Sequence, residues 1–160
     1  MNKCLFSFSI NFVLFTILTM SAMNFASAAF SRSDHEALSL DIQNSIEWTQ
    51  HVIQEVNKGS QFDVKHANVE LTHFKNWLGK MSQSYAQLSK QPLSETREAH
   101  FLAVKSHQNK AEDLVSALSI QFNSTKPNFK EMKSLAKNIK LELEAAGASH
   151  QQELKEIERP

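Results

Sequence analysis

The chain of 160 residues balances 17 basic against 17 acidic side chains, and no segment gathers the basic ones on one face, which excludes a nucleic-acid footprint. Its single cysteine, Cys4, precedes the first apolar run, so everything after it lacks disulfides, thiolate zinc sites, c-type haem attachment and cysteine nucleophiles. Three glycines and three prolines leave long uninterrupted segments, the punctuation of an all-helical chain.

The first segment has Lys3 as its only charge before Arg32, an apolar body from Leu5 to about Met20, and small residues ending in Ala26-Ser27-Ala28. This pattern predicts a secretory signal peptide over residues 1–28, hence a periplasmic or secreted product. Retention as an anchor is the alternative, since a membrane span needs about 20 apolar residues, and membrane association is expected only then. With Lys3 removed, acidic residues exceed basic ones by one.

The rest reads as one bundle domain over residues 29–146 and a polar tail over 147–160, beginning at Gly147. Ser33 with Glu36, Ser60 with Asp63, Ser94-Glu95 after Pro92, and Asn128 with Glu131 after Pro127 supply helix-start chemistry. Helix 1, about Asp34 to Lys58, carries Leu38, Ile42, Val52 and Val56 on one stripe, interrupted by Ser45 and Thr49. Helix 2, about Asp63 to Lys90, aligns Val64, Ala67, Leu71, Phe74, Leu78, Met81, Tyr85 and Leu88. Helix 3, about Ser94 to Asn123, is read with His100, Ala103, His107, Ala111, Leu114, Leu118 and Phe122 inward. Helix 4, about Asn128 to Ala146, aligns Phe129, Met132, Ala136, Ile139, Leu143 and Ala146, and the segment beyond Gly147 is expected to be frayed or exposed. Short loops between helices of this length predict an antiparallel up-down-up-down four-helix bundle. Asn123-Ser124-Thr125 forms a glycosylation sequon in the loop before helix 4.

Bundles place metal ligands one turn apart on inward faces. His100 and His107 are seven residues apart, roughly 10 Å along the axis, so they occupy different layers. His66 and His73 repeat that spacing on a flank of helix 2 expected near Trp77. A polar core layer of Ser45, Thr49 and His107 would satisfy itself without a metal, because a buried neutral imidazole needs partners for both nitrogens. The metal alternative places a divalent cation, zinc among them, at His107, His100 and His73. If His100 and His107 are buried and neutral, stability is full above about pH 6.5 and falls below it.

Catalysis finds little support. No carboxylate is read on a core stripe, Asp41, Glu70 and Glu98 being taken as solvated or flanking. The di-iron set of two Glu-x-x-His motifs with two further inward glutamates is absent. Ser45 beside His107 lacks an oxyanion donor and an orienting acid. Met81 and Met132 read as core rather than haem ligands.

The segments SIEW (Ser45 to Trp48), THFKNWLGK (Thr72 to Lys80) and AVKSHQNKA (Ala103 to Ala111) together resemble the chemoreceptor zinc-binding (CZB) domain, a helical bundle of bacterial chemotaxis receptors and cyclases. That family holds zinc with a histidine before a helix 1 tryptophan, a cysteine, and a later His-x-x-x-His. The corresponding positions here are Ser45, Thr72 (with His73 beside it), Ala103 and His107, and the family's glycine is Lys75. The resemblance implies a bundle with a sensory ancestry whose zinc site is not intact. The chain is therefore expected to be an exported, non-enzymatic bundle with a sensor-like or small-ligand or metal-binding role. The alternative is a structural or protein-interaction module of the periplasm without a ligand site, meeting a partner protein or a second copy through Phe62, Phe101, Trp48 and Trp77.

Overall fold

A computed structural model describes residues 32–91 and 93–157. Within them lie α1 (residues 32–57), a 3-10 turn Gly59–Gln61, α2 (Val64–Leu88), α3 (Glu95–Phe122) and α4 (Phe129–Ile157). They form an up-down four-helix bundle in which each helix packs on its neighbour in sequence and α4 closes against α1. The signal peptide expected over residues 1–28 falls outside the described residues. No described helix is long and apolar enough to cross a membrane.

The helix starts follow their local chemistry. The Asp63 carboxylate accepts from the amides of Lys65 and His66 at 2.8 and 3.3 Å. The Ser94 hydroxyl accepts from the Arg97 amide, and Asn128 Oδ1 accepts from the Glu131 amide. Each satisfies a donor that the first turn would otherwise leave open.

The core is one continuous stripe per helix at alternating steps of three and four. On α1 it is Leu38, Ile42, Ser45, Thr49, Val52 and Val56, as expected, and it begins one step earlier at His35. On α2 it is Ala67, Leu71, Phe74, Leu78, Met81 and Leu88, while Val64 is exposed and Tyr85 half-buried. On α3 the inward residues are Phe101, Val104, Gln108, Ala111, Val115, Leu118 and Phe122. The N-terminal half of α3 is thus turned by one position from the stripe through His100, Ala103 and His107. The physical reason is area: phenyl and isopropyl groups remove far more apolar surface from water than an imidazole and a methyl do. Phe101 stacks flat on Tyr85, centroids 3.9 Å apart at 4°. It is therefore core, not contact surface.

At the far end of the bundle Phe62 meets Phe122 and Phe129 edge-on at 5.3 and 5.6 Å, so it too is engaged. Ser45 and Thr49 are buried but donate to the carbonyls of Asp41 and Ser45 in their own helix, at 2.7 and 2.8 Å. They therefore do not supply the partners that a self-satisfying layer with His107 requires.

α4 does not end at Gly147. A lone glycine costs a helix about 1 kcal/mol without breaking it, and here the segment beyond it extends the same buried face: His150 and Glu153 continue the stripe of Ile139, Leu143 and Ala146. A Cβ added at Gly147 would lie 3.4 Å from Ile42 Cγ2, the closeness with which α4 approaches α1.

The glycines give opposite expectations in denaturant melts. Gly79 lies within α2 with open space around it, so Gly79→Ala should stabilise by about 0.5–1 kcal/mol. Gly59 has φ +58°, so Gly59→Ala should destabilise by roughly 1 kcal/mol.

Candidate metal centre

Up-down topology brings the starts of α1 and α3 and the ends of α2 and α4 to one end of the bundle. There the apolar stripes give way to a buried polar cluster. His35 comes from α1, Arg97 from the first turn of α3, and His150 and Glu153, one turn apart, from α4. The side chains of His35, His150 and Glu153 are no more than 1% exposed, while Arg97 remains 19% exposed.

The contacts determine which nitrogens carry protons. His150 Nε2 lies 3.0 Å from the His35 carbonyl oxygen, which only accepts, so Nε2 carries hydrogen. His150 Nδ1 then faces Glu153 Oε2 at 3.3 Å with its lone pair. Two acceptors at that distance repel unless a proton or a metal ion lies between them. Arg97 Nη2 lies 3.4 Å from His35 Nε2 and, being only a donor, makes that nitrogen an acceptor. His35 Nε2 also lies 3.8 Å from Glu153 Oε1, and Arg97 Nη2 lies 3.6 Å from the same oxygen. The two imidazoles stack with centroids 5.3 Å apart.

Three buried polar atoms here have no hydrogen-bond partner: His35 Nδ1, Glu153 Oε1 and Arg97 Nε. Burial pushes the His35 pKa below its ordinary value; the Glu153 charge opposes this, while His150 and Arg97 reinforce it. A neutral imidazole is the form that binds metal.

Together His35, His150 and Glu153 offer one ligand atom each, all within 4.8 Å of one another. Bonds of about 2.0–2.1 Å put tetrahedral ligands roughly 3.4 Å apart; here His150 Nδ1 lies 3.3 Å from Glu153 Oε2 and His35 Nε2 lies 3.8 Å from Oε1, so the two imidazoles approach different oxygens of one carboxylate. Two imidazoles and a carboxylate suit zinc and neighbouring divalent transition metals. The His150 Nε2–H to carbonyl bond is the kind of outer contact that orients a ligating histidine. Among the described residues this is the one group of three His, Cys, Asp or Glu meeting that separation.

The residues singled out from sequence lie elsewhere. His107 is half-buried, with Nδ1 2.7 Å from Glu142 Oε2 on α4. His100 is half-buried, and His73 is exposed and stacked on Trp48 at 4.7 Å. Thr72 is exposed and bonds the Asn68 carbonyl. The structure does not bring His73, His100 and His107 into one cluster. A carboxylate does lie on a core stripe, Glu153, contrary to expectation. His35 and His150 were legible in principle, because each is the next step of a stripe already traced, through Leu38 and through Ala146.

No family model, no curated protein and no solved structure matches this chain.

The lowered pKa of His35 gives the metal-free protein a signed pH dependence. Stability is fully present above the unfolded value near 6.5 and is lost as pH falls toward the depressed folded value, because protonation then favours the unfolded chain. Urea midpoints should therefore drop between about pH 7 and pH 5. His35→Leu should flatten that slope, with Glu153, His150, Arg97 and Asp34 remaining as the charged or titratable neighbours.

Proposed function

We propose that this chain is an exported, non-enzymatic bundle that binds a divalent metal ion, zinc or a close transition-metal relative, through His35, His150 and Glu153 in a sensing or storage role. The observation that carries the reading is the pair of facing acceptors, His150 Nδ1 and Glu153 Oε2 at 3.3 Å, in a pocket with negligible solvent exposure. A cation between them converts repulsion into two bonds. The sealed setting supports binding rather than turnover, since catalytic metal sites keep a position open for water or substrate. Export rests on the N-terminal pattern of residues 1–28.

A second reading has its own support. Arg97 already places positive charge 3.6 Å from Glu153, so the cluster also works as a metal-free clasp of a structural or interaction module. Leu40, Val69, Leu102, Ile120 and Leu141 are more than half exposed and would supply apolar contacts to a protein partner or second copy.

Metal analysis of the purified protein and calorimetric titration with zinc, copper and nickel separate the two. The metal reading expects an equivalent of uptake at the buried cluster that Glu153→Gln removes, and stabilisation of about 2.7 kcal/mol at a hundredfold excess over Kd. Binding weaker than about 100 μM for all three ions, some 5.5 kcal/mol of affinity, would leave the clasp.

A further inference from the structure

On the face shared by α1 and α2, far from the bundle end that holds His35, the sequence repeats one motif: His51-Val52-Ile53-Gln54-Glu55 and His66-Ala67-Asn68-Val69-Glu70. Each is His-x-x-x-Glu, which puts imidazole and carboxylate one turn apart on the same side of a helix. Because α1 and α2 run antiparallel, the two motifs meet head to tail. His51 Nδ1 lies 3.7 Å from Glu70 Oε2, and His66 Nδ1 lies 2.9 Å from Glu55 Oε1. The second nitrogen of His66, Nε2, reaches to 3.6 Å from Glu70 Oε1.

We infer that His51, His66 and Glu70 form a second, solvent-facing site for a divalent transition-metal ion, with Glu55 as the carboxylate that orients His66. Glu55 beside Nδ1 keeps the proton of His66 on that nitrogen and leaves Nε2, directed at Glu70, as the ligand atom. This is the carboxylate–histidine–metal arrangement by which outer groups set the tautomer of a ligating imidazole. Glu55 is itself held by Lys58 Nζ.

Two observations besides the motif point to a cation. Glu55 Oε2 and Glu70 Oε2 are both shielded from solvent without a hydrogen-bond partner, on side chains only 6% and 14% exposed. Buried carboxylate oxygens in that condition are costly unless a cation or donor reaches them. The imidazoles, by contrast, are 46% and 52% exposed, so an arriving ion reaches them from solvent. The inner site is preformed and closed; the outer one is open and completes itself by rotation of His51. Its occupant is an aquated Zn²⁺, Cu²⁺ or Ni²⁺ ion, the class that imidazole and carboxylate together select.

Trp48 reports on this site, because its ring lies 4.8 Å from the His51 ring. In the full chain carrying Trp77→Phe, which leaves Trp48 as the single indole, Cu²⁺ should quench emission saturably. His51→Ala with His66→Ala should weaken that response at least tenfold, and Glu55→Gln should weaken it about tenfold. Glu153→Gln should leave it unchanged, whether or not the inner cluster binds metal. Circular dichroism verifies that the variants remain folded, and Glu70→Gln serves where the double variant does not. Absence of quenching, quenching indifferent to His51 and His66, or quenching lost with Glu153→Gln would each overturn the outer site.

Discussion

The end of the bundle is organised by the need of one buried carboxylate for positive charge. Glu153 lies in the last turns of α4, where the carbonyl ends of the helix already carry partial negative charge, so both burial and the local dipole disfavour it. What offsets this comes from other helices. The starts of α1 and α3 carry partial positive charge at the same end, and α3 adds the Arg97 guanidinium. Up-down topology makes that convergence possible. A carboxylate at this depth in α4 thus ties three helices together through charge, where elsewhere they are tied by apolar area.

The cluster in turn depends on fine features of packing. Gly147 lets α4 lie close on α1 one turn before His150, which brings His150 Nε2 to the His35 carbonyl. The rotation of α3 that buries Phe101 and Val104 also turns the half-buried Arg97 toward Glu153, four residues before Phe101 on the same side of the helix. Farther along α3, Gln108 takes the inward polar position and bonds Ser82 and Glu112, so a second polar layer is built from an amide rather than an imidazole.

The four helices, their order and most core positions could be read from periodicity, because steps of three and four between apolar residues leave little ambiguity in α1, α2 and the first part of α4. The centre could not, and for two physical reasons. Polar residues continuing an apolar stripe look like the end of that stripe, so His35 is passed over at the start of α1, and His150 and Glu153 are assigned to a tail after Gly147. In α3, two adjacent stripes share Ala111, Leu118 and Phe122, and only packing against Tyr85 decides between His100 and Phe101. The His-x-x-x-Glu pair of α1 and α2 is visible in the sequence, but its meaning depends on the antiparallel register that opposes His51 to Glu70.

His150 Nε2 and the His35 carbonyl are separated by 115 residues of chain and by 3.0 Å of space. Any cross-link closing so long a loop withdraws much configurational freedom from the unfolded ensemble, by the same logic as a disulfide. No cysteine exists beyond Cys4 to make a covalent bridge. The described chain instead joins its first and last turns through groups whose bonds are reversible, so the tether between its ends can be tightened or released without redox chemistry.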